Sequence, residues 1–220
     1  MKAADLVYEI VRDAIEFPSG FNKEGFIEGL YDDDRDFSSQ ISFAFNYVNL
    51  GLTRLVTNKK TMLKVIHKTA DSTGYIEFKD GEVINVVSCV HPRDYKRVAF
   101  KPFGDGIVVE GKYASRIVYI EYRPYIPHLD MDSIRKQTLN DDNEIQYEEI
   151  EINLESYGVT DEMCAYVKEY AKGGLMEYLS PELSQKHTQM AENYFSNLQT
   201  RYTNFPQKAV EDVFNGGGAF

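Results

Sequence analysis

No tryptophan occurs among the 220 residues, and cysteine appears only twice, at Cys89 and Cys164. The two lie far apart and form no CxxC pair, so neither a disulfide framework nor a thiolate zinc cluster can be read from their spacing. Reduced, buried thiols of an intracellular product are expected instead. No apolar run approaches the roughly 20 residues that a membrane-spanning helix needs. Met1-Lys2-Ala3 leads straight into an acidic helical pattern, so neither a signal peptide nor a membrane partner is expected. Positive charge is also scarce, with 24 Lys and Arg against 35 Asp and Glu, for a net charge of -11. A non-specific nucleic-acid binder carries the opposite sign, and a strongly negative surface repels DNA and anionic membranes. No catalytic motif occurs, so no catalytic residue, cofactor or metal is assigned and the chain is read as a non-enzyme.

The length suits one domain with an appendage, or two small subdomains. The aromatic residues are 16 Tyr and 13 Phe, a composition that serves a core or a partner-rich surface equally.

The N-terminal third has helical periodicity. Ala3, Leu6, Val7, Ile10, Val11, Ala14 and Ile15 form one stripe of a helix over Lys2–Phe17, which Pro18-Ser19-Gly20 ends. Asn22 is placed to cap a short helix that contains Phe26, Ile27 and Leu30. The run Asp32-Asp33-Asp34-Arg35-Asp36 imitates the start of a calcium loop, but the required glycine is missing and Phe43 stands at the twelfth position. An acidic turn that caps the next helix accounts for it. That helix spans Phe37–Thr57, with Phe37, Ile41, Ala44, Phe45, Val48, Leu52 and Leu55 as its stripe.

Near Thr61 the period changes to alternation. Leu63–Lys68, Ile76–Phe78, Val83–Val90, Tyr95–Phe100, Ile107–Glu110 and Arg116–Tyr122 read as short strands, and Asp80-Gly81 as a hairpin turn. A small antiparallel β-domain inserted between helical segments follows. Cys89 with His91, and His128 with Asp130 and Asp132, lack the further ligands of a recognised metal spacing. From Asp141 to Glu162 there are nine acidic residues and no basic one. Glu149, Glu151 and Glu155 alternate with Ile150, Ile152 and Leu154, which predicts a strand with one acidic face, turned either to solvent or to the wall of a channel that DNA passes.

Thr160 starts a helix with Asp161 and Glu162 in its first turn and Met163, Tyr166, Val167, Tyr170, Ala171, Leu175 and Tyr178 along its apolar side. Gly173-Gly174 allows close packing or a bend. Ser180-Pro181 opens a last long helix carrying Leu183, His187, Met190, Ala191, Tyr194, Phe195, Leu198 and Tyr202. So short a connection predicts an antiparallel hairpin. The glycine-rich segment 204–220 follows, which can order on a partner or fray. The fold class expected is α+β: a long-helix bundle (1–60 with 159–203), a β-domain with an acidic connecting segment (61–158), and an extended C-terminal tail (204–220).

This layout, with the Tyr122-Arg123-Pro124 exit, the Val159-Thr160-Asp161-Glu162 helix start, Tyr170-Ala171-Lys172-Gly173 and the Gly218-Ala219-Phe220 end, resembles the head-to-tail connector or adaptor proteins of tailed bacteriophages, of the tail tubular protein A type. The resemblance implies a structural virion protein of the neck or tail, assembled in the host cytoplasm. It implies a ring, typically of about twelve subunits, docked on the portal protein and on downstream tail or ring proteins, through which DNA passes without specific binding. On this reading Phe205, Val210, Val213, Phe214 and Phe220 dock on the portal. Tyr166, Tyr170, His187, Tyr194 and Phe195 belong to the subunit interface, and Glu149, Glu151 and Glu155 face the channel. Two alternatives stand beside it: another neck, tail-ring or completion protein, and a metal-dependent hydrolase built on the Asp32–Asp36 or Asp130–Asp142 carboxylates.

Overall fold

A computed structural model describes residues 1–15, 20–30, 33–58, 61–62, 64–78, 85–93, 96–140 and 143–203. Among them the fold is mixed α+β, with six helices and three small antiparallel sheets. The chain divides into two compact units, Met1–Lys60 with Ile126–Phe220, and Thr61–Tyr125.

The first unit is built on apolar stripes. Helix α1 (Ala3–Ala14) buries Ala3, Leu6, Val7, Ile10, Val11 and Ala14, the stripe legible in the sequence. Helix α2 (Lys23–Glu28) is capped by Asn22, whose side chain accepts from the Gly25 amide at 2.8 Å. Helix α3 (Arg35–Thr57) is capped by Asp34, which accepts from the Asp36 and Phe37 amides. The acidic turn is therefore a helix cap, as the sequence suggested. Helix α5 (Asp161–Leu175) packs against α1, α3 and the long α6 (Pro181–Thr203). Ser184 meets Gly173, His187 meets Glu169 and Phe195 meets Tyr166, so α5 and α6 run antiparallel.

The segment 126–158, which the sequence grouped with the β-domain, belongs to this helical unit. It begins with the one-turn helix α4 (Met131–Ile134), closed by a reciprocal Asp130–Ser133 cap. Strands β7 (Arg135–Leu139) and β8 (Ile145–Glu149) then form a two-stranded ribbon that the sequence did not foretell. Backbone bonds from Ala3 to Ile152 and from Leu154 to Met1 tie the segment to the start of α1. The acidic strand expected over 149–155 is corrected accordingly. The β7–β8 ladder ends at Glu149, Asn153 forms only an isolated bridge with Lys2, and Leu154–Tyr157 is a 3-10 turn.

The second unit holds two three-stranded sheets. One has the order β1 (Lys64–Thr69), β6 (Ile117–Arg123), β3 (Asn85–Val90), and the other β2 (Tyr75–Glu77), β5 (Gly106–Val109), β4 (Phe100–Phe103). Ala70, Ile76, Phe78, Cys89, Val98, Ile107, Val109, Tyr113, Val118 and Ile120 form their shared core. Two expectations change here. β2 and β3 lie in different sheets, so they do not form one hairpin; residues 80 and 81 themselves lie outside the described residues. The strand placed at Tyr95–Phe100 is instead Phe100–Phe103, and its Pro102 is tolerated because β4 is an edge strand. Gly106 sits where a Cβ would stand 2.0 Å from the Ile76 carbonyl oxygen, so the β2–β5 approach requires glycine.

Candidate interaction surface

The helical unit carries a half-buried ionic lattice and, beside it, an uncovered apolar surface. Lys172 is 9% exposed and lies 2.7 Å from Asp13, and Lys168 lies 2.9 Å from Glu9, so α5 is joined to α1 by charge. Burial raises Asp13, but hydrogen bonds from Lys172 and Arg12 outweigh it and hold the carboxyl at about 2. On the α6 side, His187 Nδ1 and Glu169 Oε2 are 2.6 Å apart. Arg54 of α3 forms a bidentate pair with Glu192, at 2.8 and 3.1 Å, while its guanidinium lies 4.5 Å from the centre of the Phe195 ring.

These contacts relocate several residues expected at a subunit interface. Tyr166 is fully buried and stacks obliquely on Phe195 at 5.1 Å and Tyr170 at 5.8 Å. Phe195 is buried as well. Both are core residues of this chain, buried where α3, α5 and α6 converge. Tyr170 and His187 are half-buried in the same seam, and Tyr194 is exposed on α6. Tyr178 and Leu183, expected on the apolar helix sides, are exposed, Tyr178 at 89%.

The acidic residues assigned to a channel do not share one face of a strand. Glu149 pairs with Lys23 at 2.9 Å, Glu151 pairs with Lys2 at 2.7 Å, and Glu155 is exposed on the 3-10 turn. Phe205, Val210, Val213, Phe214 and Phe220 lie outside the described residues.

The thiols are not poised for chemistry. Burial pushes Cys89 up to about 12 and Cys164 up to about 11, so neither is a thiolate near neutrality. Among the described residues no three His, Cys, Asp or Glu side chains converge as metal ligands, and no helix is long and apolar enough to cross a membrane.

The open surface lies on the other side of α3. Phe43, Tyr47 and Leu50 follow at i, i+4 and i+7, a second stripe beside the buried one, with Phe43 and Leu50 more than half exposed. Gly174 lets α5 approach Tyr47 so closely that a Cβ there would stand 2.3 Å from the ring. Phe43, Tyr47 and Gly174, together with Ile15, Gln40, Leu175, Tyr178 and Leu179, line an apolar cavity of about 200 Å³. Gln40 Oε1 is buried in this lining without a hydrogen-bond partner among the described residues. Sequence reading missed this surface because it took one stripe per helix, although the Phe43–Tyr47–Leu50 spacing was present. No protein-family model matches the chain, and a search of curated proteins finds no match.

Proposed function

We propose that the chain is a structural subunit of a head-to-tail adaptor ring in a tailed bacteriophage, joining portal to tail and continuing the DNA channel. The observation that carries an assembly role is the uncovered apolar surface of α3 and the α5–α6 turn on a chain of net charge -11. Contiguous exposed apolar surface on an otherwise charged protein marks a site of association. The assignment to the phage neck rests on the sequence layout and its resemblance to connector proteins.

On this reading the helical unit is a long-helix bundle that builds the ring, the β unit is an insertion in it, and residues 204–220 dock on the portal. The net negative charge then has a use. A conduit lined without Lys and Arg contacts avoids the salt-dependent adhesion that would hold DNA in passage.

Electron microscopy of the purified chain, alone and with the portal protein of the same phage, tests the reading. The expected result is a ring of about twelve copies seated on the portal. A chain that ignores the portal overturns the adaptor assignment, and a ring located elsewhere in the particle reassigns it to another neck or tail component.

A further inference from the structure

Charge is divided unevenly between the two units. The helical unit carries 14 Lys and Arg against 27 Asp and Glu, a net charge of -13, whereas the β unit carries 10 against 8, a net charge of +2. The positive charge collects at one end of the β unit, where β6 begins. At that end Thr69 pairs with Ile117 and Val90 with Tyr119. Arg97 bridges to Val90, the His91 amide donates to the Lys96 carbonyl, the Ala70 amide to the Arg116 carbonyl and the Arg116 amide to the Tyr113 carbonyl. These bonds gather Lys68, Arg93, Lys96, Arg97, Lys112 and Arg116 around one end, with Asp71 and Glu110 as the carboxylates among the described residues there.

Both carboxylates are already engaged. Asp71 accepts from the Thr73 and Tyr75 amides and from the Thr73 hydroxyl within its own turn, and Glu110 pairs with Lys112 at 2.7 Å. Arg97 and Arg116 are exposed beside them. This end is also remote from the two connections to the helical unit. The chain enters β1 at Lys64, which pairs with Tyr122, and leaves the β unit at Tyr125, just past the end of β6. A strand of 7 residues such as β6 is about 20 Å long, so the basic end lies roughly that far from both connections.

We infer that this basic end of the β unit binds the acidic helical unit of a second copy of this chain. Contact between two helical units sets -13 against -13, and contact between two β units sets +2 against +2. Only the mixed contact brings opposite signs together. Screening over roughly 8 Å at physiological salt leaves the charges nearest the contact to decide, and at this end those charges are mostly basic. The two surfaces belong to different parts of one chain, so each copy gives its β end to one neighbour and receives the β end of another. Such a head-to-tail contact closes into a ring or runs on as a filament. The contact deepens the ring reading by naming the surfaces through which subunits meet, and it rests on that reading only in requiring that copies associate.

Zero-length carbodiimide cross-linking of the full-length chain, with isotope-labelled and unlabelled copies mixed, tests it. The expected links between copies join Lys96 or Lys112, both exposed, to carboxylates of the helical unit. Links between copies that involve only helical-unit lysines, or no links between copies, overturn the contact. Arg116→Glu and Lys186→Glu then make the same charge change at exposed positions of the two units. Arg116→Glu is expected to cut the yield about fivefold, the effect of reversing one surface charge, whereas Lys186→Glu leaves it unchanged or raises it. Equal losses from both variants mean that total charge alone governs association and overturn the contact. Duplex DNA binding that Arg116→Glu abolishes, with the links between copies intact, gives the basic end to nucleic acid and also overturns it. Rings seen by microscopy without these links leave the ring reading standing and remove this contact; the links in a chain that never binds a portal do the reverse.

Discussion

The helical unit and the β unit are held together by different means. In the helical unit, helices remote in sequence meet through side chains. Asp13 and Lys172, Glu9 and Lys168, Arg54 and Glu192 are each more than 130 residues apart and each bridge two helices. Between them Tyr166 and Phe195 fill the space where α3, α5 and α6 converge. In the β unit the joining is done by backbone ladders, β1 and β3 both pairing with β6, and β2 and β4 both pairing with β5. The contrast teaches where each unit is vulnerable. A ladder tolerates a changed charge but not a changed core, whereas the helical unit depends on both.

The largest effect is expected from Tyr166→Ala. Removing a fully buried aromatic lowers stability by about 3–5 kcal/mol, and amide exchange should accelerate first in α3, α5 and α6. Ile120→Ala is the matching change in the β unit, with an expected loss of about 2–5 kcal/mol and the loss of protection concentrated in β1, β3 and β6. Exchange that rises equally in both units for either variant would break the distinction between them.

A smaller effect separates the units by pH. Asp13 has a folded value of about 2 against an ordinary 3.8. A carboxylate held low contributes stability that is whole above the ordinary value and is lost as pH falls through the folded one. The contribution amounts to up to about 2 kcal/mol. Asp13→Asn should therefore lower the urea midpoint at neutral pH and flatten its fall between pH 4 and pH 2, measured through a helical-unit probe. An unchanged acid limb would remove the charge lattice from the comparison. The smallest expected effect is that of Asp34→Ala, about 1 kcal/mol for a lost helix cap, seen as faster exchange in the first turn of α3.

Much of the local structure was legible. The stripe of α1, the caps Asn22, Asp34 and Thr160, and the strand cores of β5 and β6 all follow from residues within a turn or two of each other. The errors arose where the answer lay far along the chain. Asp80-Gly81 carries a local hairpin signal, yet β2 found β5 and β3 found β6. The candidate site was the least legible part. Tyr166 and Phe195 looked like interface aromatics, but whether a helix face is core or surface depends on how many other elements arrive to cover it.

The sequence by itself determined most of the helices, several of the strands and the charge: helical stripes, capped starts, alternating strands and a net charge of -11. Those properties are set by spacings of two to four residues and by simple composition. Only the tertiary structure decided the partners of the strands, the attachment of the β7–β8 ribbon to the helical unit, and the choice of Phe43, Tyr47, Tyr178 and Leu179 as the uncovered residues. Exposure is what remains after every other segment has packed. It cannot be read from a side chain's own neighbourhood in the chain.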